Sequence, residues 1–269
     1  MLNQSHHPRS GQGGVSLVEL MVGMVVGLIV MAALLAVYII TTTGATDTVR
    51  AARLNQDLRI AMSFMASDIR RAGYWSGMGT PGANCYTNRT ANTDCPGSAG
   101  AAPAIGDIFI SDGPDLVADF DCILVSYDAT YDLDPRQVVF GYRKTSDGMG
   151  IEMLYDLTGT LTSTNGCSST ATGLWQPLTD ADETRVTGLN ISTAGSRCFN
   201  VTTNTSGTPV GAGVSTPACE NMSPTPGADD RLYENRIIRV NLTGVHRGDE
   251  RIMVQLTQDI KVNNNRIVN

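Results

Sequence analysis

From Leu20 to Ile40 no side chain is charged, and only Gly23, Gly27 and the Tyr38 hydroxyl interrupt an apolar run. As a helix rising about 1.5 Å per residue, this run covers about 31 Å, close to the thickness of a bilayer core. The run then meets Thr41-Thr42-Thr43-Gly44, a composition that weakens or kinks a helix. Helical periodicity resumes beyond it. Leu54, Leu58, Ala61, Met62, Met65 and Ile69 recur three and four residues apart, on one face. Arg50, Arg53, Asp57, Arg59, Asp68 and Arg71 occupy mostly the remaining surface, and Gly73 is a C-cap signal. The pattern predicts one long spine helix over 15–72. Its first half, about 15–40, suits lipid, and its second half packs its stripe on a sheet.

Downstream the period changes. Residues 76–106 hold Gly, Ala, Asn, Thr and Pro with almost no large apolar side chains, which predicts a long surface loop. Strand signals follow at Cys122–Tyr127, Gln137–Tyr142, Ile151–Leu157, Thr184–Ile191, Arg236–Leu242 and Ile252–Val262. Ile252, Val254 and Leu256 alternate with polar residues, and Ile237-Ile238 is a β-branched pair. The polar, Pro/Gly-rich stretches Ser163–Thr172 and Thr202–Asp230 are predicted loops. The fold class is therefore α+β: a long N-terminal helix packed on an antiparallel β-sheet head. Its organisation reads as a polar leader at 1–14, a helix at 15–73 and a β-rich head at 74–269.

Charge narrows the function classes. The formal net charge is −7, and the leader contributes only Arg9, so the remainder carries −7 − (+1) = −8. An acidic body argues against a general nucleic-acid binder, which needs basic residues for phosphate contacts. Arg9 on one side of the apolar run, and Arg50, Arg53 and Arg59 against Asp47 and Asp57 on the other, set no strong orientation.

Cys85, Cys95, Cys122, Cys167, Cys198 and Cys219 form no CxxC pair and have no nearby histidine, so they do not read as a zinc site. An even count outside the apolar run suits disulfides in an oxidising compartment. Six cysteines allow 15 pairings, and sequence does not choose among them. Proximity favours Cys85–Cys95 and Cys198–Cys219, leaving Cys122–Cys167.

Catalysis finds little support. His6 and His7 lie in the leader, and His246 sits in Gly244-Val245-His246-Arg247-Gly248-Asp249, which reads as a hairpin turn. No GxSxG, Walker loop or HExxH occurs. Asp112, Asp115, Asp119 and Asp121, and then Asp128, Asp132 and Asp134, cluster without the glycine and terminal glutamate of an EF-hand. No metal or cofactor is expected, and the chain is not expected to be an enzyme. The GxxxG spacing of Gly23 and Gly27 permits close helix approach.

Glu19 is the exception that carries chemistry. It stands at the edge of the apolar run, and an ionisable residue at membrane depth costs about 2.5–3.5 kcal/mol. Either it flanks the membrane and stays wet, or it has a partner. The apolar run also follows the polar leader and its glycine, the wrong order for a secretory signal whose cut lies beyond the apolar stretch. A cut after Gly14 would retain the helix.

Gly14, Val15, Ser16, Leu17 and Glu19 together resemble the class III signal of type IV prepilins: glycine, the cut, an apolar residue, then Ser-Leu-x-Glu. Val15 departs from the phenylalanine most often found there. Ala66-Ser67-Asp68-Ile69-Arg70-Arg71-Ala72-Gly73-Tyr74-Trp75 is similar to a segment of PilW-type minor pilins, as is Asp121–Tyr127. Arg185–Ile191 resembles a strand shared with J-type pseudopilins of type II secretion. The resemblance implies that a prepilin peptidase cuts after Gly14 and methylates the Val15 amine. It implies a single-pass inner-membrane subunit with a cytoplasmic N-terminus that later joins the pilus fibre, at its tip. The implied partners are other minor pilins, the major pilin, the peptidase and inner-membrane lipid, with Glu19 meeting a neighbour's Val15 ammonium. Adhesion and twitching motility are the implied traits. The alternatives are a J-type pseudopilin and, from another class, a membrane-anchored exported enzyme or binding module.

Overall fold

The computed structural model describes residues 14–74, 107–111, 120–128, 137–156, 166–167, 175–207, 219, 225–227, 229–264 and 266–268. The fold is α+β. Among the described residues one helix, α1 (Leu17–Arg71), precedes twelve strands: β1 (Ile108–Ser111), β2 (Cys122–Asp128), β3 (Gln137–Lys144), β4 (Ile151–Asp156), β5 (Trp175–Pro177), β6 (Thr184–Ser192), β7 (Arg197–Asn200), β8 (Thr205–Gly207), β9 (Leu232–Asn235), β10 (Ile237–His246), β11 (Asp249–Lys261) and β12 (Arg266–Val268). The chain divides into two compact units, one ending at Val49 and the other starting at Arg50.

In the first unit the helix runs without interruption through Thr41–Gly44, where the sequence predicted weakening or a kink. The threonine hydroxyls explain this. Thr41 donates to the Val37 carbonyl at 2.7 Å, Thr42 to Tyr38 at 3.0 Å, Thr43 to Ile39 at 2.9 Å and Thr48 to Gly44 at 2.8 Å. Each hydroxyl is satisfied along its own helix, so it does not draw the backbone into another conformation.

In the second unit the predicted stripe is buried: Leu54, Leu58, Ala61, Met62, Met65 and Ile69, joined by Ala66 and Asp68. It packs on two antiparallel sheets, ordered β1-β2-β3-β4-β5 and β11-β10-β6; a third is ordered β12-β9-β7-β8. Strand β2 is buried on both faces. Its alternate side chains serve two cores: Ile123, Val125 and Tyr127 join the α1 stripe, whereas Cys122 and Leu124 join Val139, Leu154, Cys167 and Trp175. Gly141 on β3 makes room there, since a Cβ would lie 2.7 Å from the Trp175 ring. Disulfides join Cys122 to Cys167 and Cys198 to Cys219. Cys85 and Cys95 lie outside the described residues, as do the whole predicted 76–106 loop and residues 1–13 of the leader.

Six strands coincide with the predicted segments to within a few residues. The other six were not predicted, and β8 corrects the loop expected over Thr202–Asp230. A local turn explains β8. The Asn200 side-chain oxygen accepts the Thr202 and Thr203 N–H groups at 3.0 and 3.1 Å, folding the chain back so that β8 pairs with β7.

Candidate functional site

Two places concentrate chemistry, the start of α1 and its end. Gly14, Val15 and Ser16 precede the helix, and the Ser16 carbonyl accepts the first helical bond from Leu20 N–H at 3.1 Å. Ser16 is thus the N-cap and Glu19 the third helical residue, the spacing of a capping box. A carboxylate in the first turn also complements the positive end of the helix. Beyond Glu19 the side chains from Leu20 to Ile40 are exposed, and the helix is long and apolar enough to cross a membrane.

The end of α1 is held by polar groups drawn from distant segments. Asp68, buried against β2 and β3, accepts the Tyr127 hydroxyl at 2.9 Å on one oxygen and the Tyr142 hydroxyl on the other. The Arg71 guanidinium stands 6.0 Å over the Tyr127 ring. After Arg71 the chain turns at Gly73, whose φ of 73° suits glycine and whose missing Cβ leaves space beside Asp107. Buried Arg236 pairs with buried Asp107 and also donates to the Asn264 carbonyl. Asn263 N–H donates to the Arg70 carbonyl at 3.0 Å, and the Asn264 side-chain amide donates to the carbonyls of Arg71 and Ala72 at 3.1 and 3.0 Å. The last carbonyls of α1, orphaned in any helix, are thus capped by Asn263 and Asn264, which follow β11. These contacts give the segment Asp68–Tyr74 a structural purpose.

Burial pushes the Asp68 carboxyl above its ordinary value, while the Tyr142 and Tyr127 hydroxyls and Arg71 pull it down. Burial, and then the Asp68 charge, push both phenols up. A carboxyl whose pKa is raised by folding adds stability below its unfolded pKa, and that contribution is lost as pH rises through the folded pKa. Asp68→Asn removes this titration. Melts of both proteins across pH 3.5–7 should show the wild type losing ground to the variant as pH rises. A constant difference would mean that Asp68 does not titrate in this way.

The other singled-out residues have local roles. His246 closes the β10–β11 hairpin, its Nδ1 accepting the Gly248 N–H at 3.0 Å. Asp121 is buried, 3.8 Å from the Lys144 ammonium. Asp128 is buried in β2. Asp112, Asp115, Asp119, Asp132 and Asp134 lie outside the described residues.

A family model described as prepilin peptidase-dependent protein B matches residues 47–262. One for the prokaryotic N-terminal methylation motif matches residues 9–35. No curated protein and no solved structure matches.

Proposed function

The chain belongs to the prepilin peptidase-dependent protein B family, and on that premise we propose that it is a minor pilin of the PilW type, a structural subunit and not an enzyme. The observation that carries this reading is the Gly14/Val15 junction placed just before Ser16 and Glu19 at the start of an exposed apolar helix. The peptidase cuts after Gly14 and leaves a methylated Val15 amine, while the apolar helix holds the subunit in the inner membrane. The subunit then joins other minor pilins in the complex that primes the fibre and ends near its tip. Extraction from lipid is favoured where Glu19 meets a neighbour's Val15 ammonium.

Intact-mass and N-terminal analysis of the protein from its native membrane tests this reading. The expected product starts at methylated Val15 and retains the Leu20–Ile40 run. A product starting at Met1, or one cut beyond Ile40, would overturn it.

The likeness of Arg185–Ile191, now seen as most of β6, supports a second reading as a J-type pseudopilin of type II secretion. Co-purification separates the two: pilus subunits accompany the protein in one case, secretion pseudopilins in the other.

A further inference from the structure

We propose that the outer edge of β11 receives an extended, acid-bearing segment of a partner chain as an added strand. Strand β11 is 13 residues long and pairs on one side with β10, in unbroken register from Ile237↔Lys261 to Val245↔Met253. It ends its sheet, and no described strand lies on its far side. Sheet edges ordinarily carry a blunting device such as proline, a bulge or an inward charge. Among the described residues, the edge between Ile252 and Ile260 has none of these three. Its register shift lies at the hairpin, and its inward positions are Ile252, Val254, Leu256, Gln258 and Ile260. Such an edge is a template for β-addition, in which backbone bonds supply affinity and alternate side chains supply selectivity.

The neighbouring helix says what those side chains are. A groove of about 380 Å³ lies between α1 and β11, with Met62, Ala66 and Leu256 among its lining and Arg59 and Arg70 on its helix side. Among the described residues no carboxylate lines it. Asp259 points to the outer face of the sheet, where it is held by Arg239 at 2.7 and 2.8 Å. Arg59 and Arg70 are both exposed and stand eleven residues apart, about 16 Å along the axis and the reach of about five extended residues. A strand added to β11 would direct alternate side chains into this groove. Apolar ones would sit over Met62 and Ala66, with carboxylates at either end facing the two guanidinium groups. The inference does not depend on the assembly role proposed above.

The test uses the full chain in detergent with a blocked heptapeptide in which Asp, Val and Asp alternate with Thr. The control peptide carries Lys in place of Asp. Hydrogen exchange is followed along β11, and affinity is measured by titration. The acidic peptide should slow exchange in Ile252–Ile260 and bind about tenfold more tightly than the basic one. In the Arg59→Glu/Arg70→Glu variant, which alters two exposed positions, that preference should vanish or reverse at unchanged melting temperature. Three results would overturn the proposal: equal affinity for both peptides, protection confined to α1, or full protection of the β11 edge amides before any peptide is added.

Discussion

A Glu19→Ala subunit is expected to be made, cut and retained in the membrane, yet to be missing from sheared fibres, with few pili on the cell. Removing a carboxylate from the edge of an apolar span makes residence in lipid cheaper, so insertion should not suffer. What disappears is the group that a neighbouring Val15 ammonium would meet. The helix also loses an acid from its first turn, but that favourable charge is small beside the apolar run that follows. Glu19→Gln divides the explanations. It should fail nearly as badly if the charge pair matters, and far less if a hydrogen bond is enough. Piliation and subunit recovery in sheared fibres are the measurements. Normal pili containing the alanine subunit would leave Glu19 as a wet flanking residue.

Arg236→Leu should lower the stability of the head by about 3–5 kcal/mol, the usual penalty for stripping one partner from a buried ion pair. Arg236 and Asp107 are 1% and 2% exposed, so the aspartate left behind would have little access to water. The same change removes the donor to the Asn264 carbonyl and loosens the residues that cap α1. Combining Arg236→Leu with Asp107→Asn should recover much of the loss, because the buried charge that lost its guanidinium is then gone. Denaturant unfolding of the single and double variants decides the matter. A double variant as unstable as Arg236→Leu alone would mean that packing, and not charge, sets the penalty.

The parts of this fold written in long patterns were legible. Leu54 through Ile69 repeats at helical spacing over several turns, and β10 and β11 are long enough for alternation to declare itself. Strands β1, β5, β7, β8, β9 and β12 span three or four residues each, too few for a period. They hold through strand pairing and the Cys198–Cys219 bridge, which are set by partners remote in sequence, and β8 also through the local Asn200 turn. The candidate site divides in the same way. Gly14, Val15, Ser16 and Glu19 form a local pattern and were readable. The Asp68 contacts cross 59 residues to Tyr127 and 74 to Tyr142, and no local spacing announces them. Asp121, one member of an acidic cluster in the sequence, stands 3.8 Å from the Lys144 ammonium, a pairing that no local spacing announces.

The capping of α1 by Asn263 and Asn264 has a consequence for the timing of folding. These contacts span 193 residues to Arg71 and 192 to Ala72. Contacts of such long range form late, because the loop they close must first be brought together. A chain made from its N-terminus presents the spine early, but the residues that seal the spine's last turn follow Arg71 only after 193 positions. Until they arrive, the carbonyls of Arg70, Arg71 and Ala72 lack those caps, and the Asp68–Tyr74 junction is unfinished. The junction is therefore completed only once Asn263 and Asn264 are in place.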